Sequence, residues 1–135
     1  MGTSQYHEPP EELPAEVRTF ARLSTSLIEE VEAIGWYAQR IAVEPDPEAR
    51  AIMKNAQHEE FKHFSMDLEF LLRRTPEWRE IARGVLFTEG DIVALGTAAE
   101  EGVEEGGGGA SEEPGPAGIP EDGSLNIGSL KEGPA

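Results

Sequence analysis

Glu60-Phe61-Lys62-His63 is the stretch on which the reading of this chain turns. On a helix, E-x-x-H sets a carboxylate and an imidazole one turn apart on the same face, which suits two ligands of one metal ion. The motif has a counterpart upstream in Glu30. Between them, Val43-Glu44-Pro45-Asp46-Pro47 stops a helix, because each proline pushes the preceding residue out of the α region. Pro45 is 15 residues from Glu30 and 15 from Glu60. In an antiparallel hairpin both side chains then lie at one height, roughly 22 Å from the loop at about 1.5 Å per residue. His63 falls one turn further along.

The flanking pattern sets the direction in which these side chains point. Leu23, Leu27, Ile34 and Ala38 recur at helical spacing, with Glu30 inside their stripe. Ala49, Met53, Ala56 and Phe70 keep a 4-3 spacing that also lands on Glu60, His63 and Asp67. A charge in an apolar stripe is costly unless it is paired or metal-bound. The bland alternative is a wobbling stripe that leaves Glu60 and His63 at its wet edge. Glu30 at matching height favours the metal. Four-helix di-iron proteins use two E-x-x-H motifs and two further glutamates. This chain offers half of that set, so two chains have to meet to complete a site.

The fold class expected is all-α. One long helix is predicted over about Pro14–Ala42 and a second over Pro47–Arg74, forming an antiparallel hairpin. Thr75-Pro76-Glu77 reads as an N-cap, a proline in the first turn and an acidic start for a shorter helix. A last short helix follows Thr88 across Ile92, Val93 and Leu95; strand signals are absent. Phe20, Leu27, Ile28, Val31, Ile34, Met53, Phe64, Met66, Phe70, Leu71, Trp78 and Leu86 are more apolar surface than one hairpin covers. Two chains pairing into a four-helix ferritin-like bundle is the economical solution.

Bulk properties narrow the function. The 135 residues suffice for one domain with a modest core. No cysteine is present, which excludes disulfides, thiolate zinc sites and iron–sulfur clusters and permits a reducing cytoplasm. No apolar run approaches the eighteen or so residues that span a membrane. Met1 to Tyr6 lacks the regions of a signal peptide and misses the myristoylation pattern. A net charge of −16 argues against nucleic acid and anionic membrane as partners and suits the attraction of divalent cations.

Residues 1–13 are polar and proline-bearing and read as loose, with residues 14–99 as the helical domain. From Glu101 the composition changes, and residues 100–124, with Gly106-Gly107-Gly108-Gly109, read as a flexible acidic linker. Residues 125–135 bring back large aliphatics. Leu125, Ile127 and Leu130 look like the anchors of a docking peptide; the alternative is a terminus without a role.

Glu29-Glu30-Val31-Glu32-Ala33-Ile34-Gly35-Trp36-Tyr37, Glu59-Glu60-Phe61-Lys62-His63 and Leu86-Phe87-Thr88-Glu89-Gly90 together resemble the encapsulated ferritins. Leu125-Asn126-Ile127-Gly128-Ser129-Leu130 is similar to the peptide that loads cargo into encapsulin shells. The resemblance covers residues 14–98 and the last eleven. It implies hairpins paired across a two-fold axis and dimers closing into an open ring, typically a decamer. It also implies two irons held by Glu30, Glu60 and His63 of two chains, with Glu60 bridging and Glu30 and His63 each capping an iron. Such oxygen and nitrogen ligands suit Fe(II) and its oxidation. Tyr37 would lie near the site as a supporting or redox-active residue, or be an amphipathic core tyrosine. Glu29 and Glu32 would draw metal in and Trp36 narrow the path; a solvated acidic face with a packing tryptophan is the alternative. Calcium or zinc would also suit such acidic sites. Gly35 departs from the family's larger polar residue, and close helix approach or a slight kink would account for it. His58 and His7 are assigned to neither role.

The function implied is a ferroxidase that oxidises Fe(II) with dioxygen at a site shared between subunits. Iron would pass to an encapsulin compartment in the cytoplasm, engaged through residues 125–131. Two rivals stand beside it: a peroxidase-type or hydrolytic dimetal enzyme using the same ligands, and a non-catalytic helical cargo protein.

Overall fold

The computed structural model describes residues 4–107. The linker beyond Gly107 and the expected docking peptide at 125–135 lie outside the described residues. The chain divides into two units, residues 1–71 and 72–135. Among the described residues every regular element is helical, which bears out the all-α class.

In the first unit a single 3-10 turn, Pro10–Glu12, precedes helix α1, Ala15–Val43. Pro14 stands just before the first helical residue, where its missing N–H costs nothing. Ser24 and Thr25 are accommodated mid-helix because their hydroxyls donate back to the carbonyls of Phe20 and Ala21. The stop at Glu44-Pro45-Asp46 is braced from both sides. Asp46 caps helix α2, Pro47–Arg74, by accepting the Ala49 N–H at 2.8 Å, and the Asp46 N–H donates to the Glu44 carboxylate at 2.9 Å. The Arg50 side chain reaches back to the Glu44 carbonyl at 2.9 Å.

Cross-helix polar contacts fix the antiparallel register. Gln57 Nε2 donates to the Ile34 carbonyl at 3.0 Å, and His63 Nδ1 lies 3.9 Å from the Glu30 carboxylate. Gln57 and Ile34 are nearly symmetric about Pro45, and His63 falls one turn beyond the level of Glu30, as the spacing predicts. Gly35 is not explained by close approach, since a Cβ there would meet nothing within 4 Å.

The second unit holds helices α3, Pro76–Val85, and α4, Ile92–Gly106, packed on each other. Gly84 makes this contact possible: a Cβ would lie 2.6 Å from the Ala99 Cβ. Asp91 caps α4 by accepting the Ala94 N–H at 2.8 Å. Two predictions need adjustment here. Thr75 flanks α3, but its hydroxyl makes no capping bond and is buried without a hydrogen-bond partner. Helix α4 also runs on to Gly106, into the stretch read as linker, because Glu100, Glu101, Val103, Glu104 and Glu105 are compatible with helix despite Gly102.

The hairpin leaves much of its apolar surface uncovered. Val31, Trp36, Ile52 and Met66 are each at least half exposed, and Phe61 is 43% exposed. The buried hydrophobics among the described residues are Leu71 and Leu72, close to the end of α2. No described helix is long and apolar enough to cross a membrane.

Candidate metal centre

Glu30 of α1 and Glu60 and His63 of α2 converge, each offering a ligand atom within 4.8 Å of the others. Helical spacing aligns Glu60 with His63, whose Nδ1 lies 3.2 Å from Glu60 Oε2. The hairpin register then brings Glu30 in from the facing helix. Both glutamates are half-buried, and His63 is 45% exposed. The group therefore has a sheltered side and an open one.

Electrostatically the group is under tension. The hydrogen bond with Glu60, followed by burial and by the charge of Glu60, pushes the Glu30 carboxyl up from 4.5 to about 7. That hydrogen bond and the one with His63 hold Glu60 below the ordinary range. The two carboxyls therefore differ in proton affinity, with Glu30 the one that holds a proton more readily. Asp67, one turn beyond His63, adds a smaller repulsive push on Glu30. Two carboxylates and an imidazole around one point form a hard-to-borderline donor set that fits iron, manganese or zinc better than soft metals. A cation placed there would displace the Glu30 proton and relieve the repulsion.

The other expected residues stand apart from this group. Tyr37 lies two turns along α1 from Glu30, half-buried, with the Arg40 guanidinium 5.5 Å from its ring centre. Glu29 and Glu32 are exposed on α1 and do not join the ligand cluster; Trp36 is 53% exposed. His58 packs against the Phe61 ring at 5.7 Å. Gln57 was not singled out in the sequence, where a glutamine before Glu59-Glu60 has the pattern of a solvated face. Its cross-helix bond becomes visible only once the register is known.

The sequence profile of the EncFtn-like family matches residues 5–89, which include all three converging residues. The encapsulated ferritin-like protein of Rhodospirillum rubrum is 44% identical over 131 residues, covering 97% of this chain and 91% of that protein. A ferritin-like protein of Thermotoga maritima is 41% identical over 104 residues, covering 77% and 91%. A crystal structure of a protein from Nitrosomonas europaea superimposes with a TM-score of 0.63 at 38% identity, covering 64% of this chain and 96% of that one. A helical hairpin with its carboxylate–histidine group, a profile match over more than half the chain and relatives above 40% identity lead to one conclusion: the chain belongs to the EncFtn-like family.

Proposed function

We propose that this protein is a ferroxidase, oxidising Fe(II) with dioxygen at a di-iron site shared between two subunits and supplying Fe(III) to an encapsulin compartment for storage. The convergence of Glu30, Glu60 and His63 on one point carries the reading. The names of the relatives from Rhodospirillum rubrum and Thermotoga maritima, both ferritin-like, support an iron-related function.

In this reading Glu30, Glu60 and His63 would hold the iron, Glu60 between the other two. The chain supplies one E-x-x-H, so a second copy supplies the other. The open side at His63 and the exposed Ile52 and Met66 on the same side of α2 support that pairing, since a second hairpin laid there would cover them. Iron bound there gives up electrons to dioxygen, four Fe(II) and four protons per dioxygen reduced to two waters. The residues hold the metal in place, and Glu30 surrenders its proton on loading. Glu29, Glu32 and Trp36 would line an uptake path and Tyr37 would support the site. Calcium would also suit the acidic uptake residues.

An open ring of such dimers, of decameric size in the family, has no cavity of its own, so storage falls to the shell. The word "encapsulated" in the name of the Rhodospirillum rubrum relative supports this assignment. Residues 125–131 would dock the ring inside a cytoplasmic encapsulin compartment, tethered by the segment that follows α4.

Anaerobic addition of Fe(II), followed by air, should give a fast rise of ferric absorbance that Glu60→Ala and His63→Ala lack. Equal traces would leave the protein a helical cargo carrier without iron chemistry. Dependence on added peroxide would mark a peroxidase-type enzyme.

A further inference from the structure

We infer that Gln57 is a positioning residue for the metal site: its bond to the Ile34 carbonyl sets the spacing at which Glu30 meets Glu60. This rests on the reading of Glu30, Glu60 and His63 as metal ligands. Gln57 lies one turn before Glu60 on α2, and Ile34 one turn after Glu30 on α1. The clasp therefore sits roughly 5 Å on the loop side of the two carboxyls. On the far side, His63 reaches towards both Glu60 and Glu30, at 3.2 and 3.9 Å. The carboxyls are bracketed between two cross-helix ties.

The two ties differ in what loading does to them. A metal ion takes the carboxylate oxygens and an imidazole nitrogen, so the contacts among those groups change when it binds. Gln57 and the Ile34 carbonyl contribute no ligand atom, and their 3.0 Å bond can persist through loading. A backbone carbonyl has a second lone pair to offer while the first serves its helix. The donor is a half-buried side chain and the acceptor is backbone. The clasp thus locates the backbone of α1 itself rather than one side-chain rotamer. A neutral tie holds the two helices at ligand distance independently of the hydrogen bond between Glu30 and Glu60, which a cation would displace.

The neighbouring glutamine supplies a control. Gln39 Nε2 donates to the Gly35 carbonyl within its own helix, at 3.4 Å, and ties nothing across the hairpin.

Anaerobic Co(II) titration of the full chain, followed by visible absorption and equilibrium dialysis, tests the assignment. Thermal unfolding of the metal-free protein is measured alongside. Gln57→Met keeps length and helix propensity but removes the donor; Gln57→Asn keeps the amide but withdraws it by one methylene. Each should weaken Co(II) binding by about 10-fold, in the range of supporting residues around metal sites, and alter the absorption band. Gln39→Met should bind as the parent does. Wild-type affinity and spectrum in either Gln57 variant, even with a lowered melting temperature, would mean that Gln57 merely stabilises the hairpin and would overturn the inference. Should Gln57→Met fail to fold, Gln57→Asn decides. Parent protein that binds no Co(II), or binds it equally well as His63→Ala, would instead remove the metal site itself.

Discussion

The α1–α2 level at Glu30 and the α3–α4 pair solve the same packing problem in opposite ways. In α3–α4, apart from the buried Thr75 hydroxyl, the local demands are met from within. Gly84 makes room for Ala99, Asp91 caps α4, and Arg83 pairs with Glu80 at 2.7 Å. At Glu30 the helices instead bring two carboxyls together with Asp67 nearby, and the pair pushes the Glu30 carboxyl well above its ordinary range. That contrast supports the proposal that the hairpin level is a functional site.

The sharpest way to break this contrast is to remove the conflict. Glu60→Ala or His63→Ala should abolish fast ferric formation. The loss should exceed the roughly 10–100-fold typical of supporting residues, because a ligand itself is gone. The metal-free Glu60→Ala protein should keep its fold, with the Glu30 carboxyl brought back toward its ordinary range once its hydrogen bond to Glu60 is gone. A variant that unfolds would show that the pair is structural.

The converse experiment perturbs the settled region. Gly84→Ala should force α3 and α4 apart at a cost of about 1–3 kcal/mol for overpacking, offset by about 1 kcal/mol of helix propensity. Chemical denaturation measures the loss, and Co(II) affinity at the hairpin should remain unchanged.

A proton balance sharpens the comparison further. The folded Glu30 carboxyl titrates at about 7, above its ordinary 4.5, because of its hydrogen bond with Glu60. Its contribution to stability is therefore full below about 4.5 and is lost as pH rises through about 7. Glu60 is shifted the other way, and its contribution is lost as pH falls below the ordinary carboxylate range. Metal binding should accordingly release more protons at pH 6 than at pH 8, measured by calorimetry in buffers of different ionisation enthalpy. Glu30→Gln should shrink that difference. The smallest effect belongs to Arg83→Ala, which removes an exposed pair and should change stability by no more than about 0.5 kcal/mol.

Much of this was legible in the sequence, for identifiable reasons. The prolines at 45 and 47 fix the turn, and helical periodicity then dictates that Glu30, Glu60 and His63 share a level. Those are local rules, and they carried the hairpin and the convergence of its three residues. The Gln57 clasp was not legible, because a glutamine can face solvent or a neighbouring helix with the same spacing. The failed cap at Thr75 depends on where its hydroxyl is buried, which no residue pattern encodes. The length of α4 was missed because glycine-rich composition outweighed the helix-forming glutamates up to Gly106. Gly35 has open space around it, and nothing in the hairpin accounts for it.

The shared site is tested most directly by native mass spectrometry of the protein loaded anaerobically with Fe(II), with Glu60→Ala as control. The account predicts two irons for every two chains, held by dimers or larger assemblies and lost from the variant. Iron retained by isolated single chains, or equally by Glu60→Ala, would contradict it.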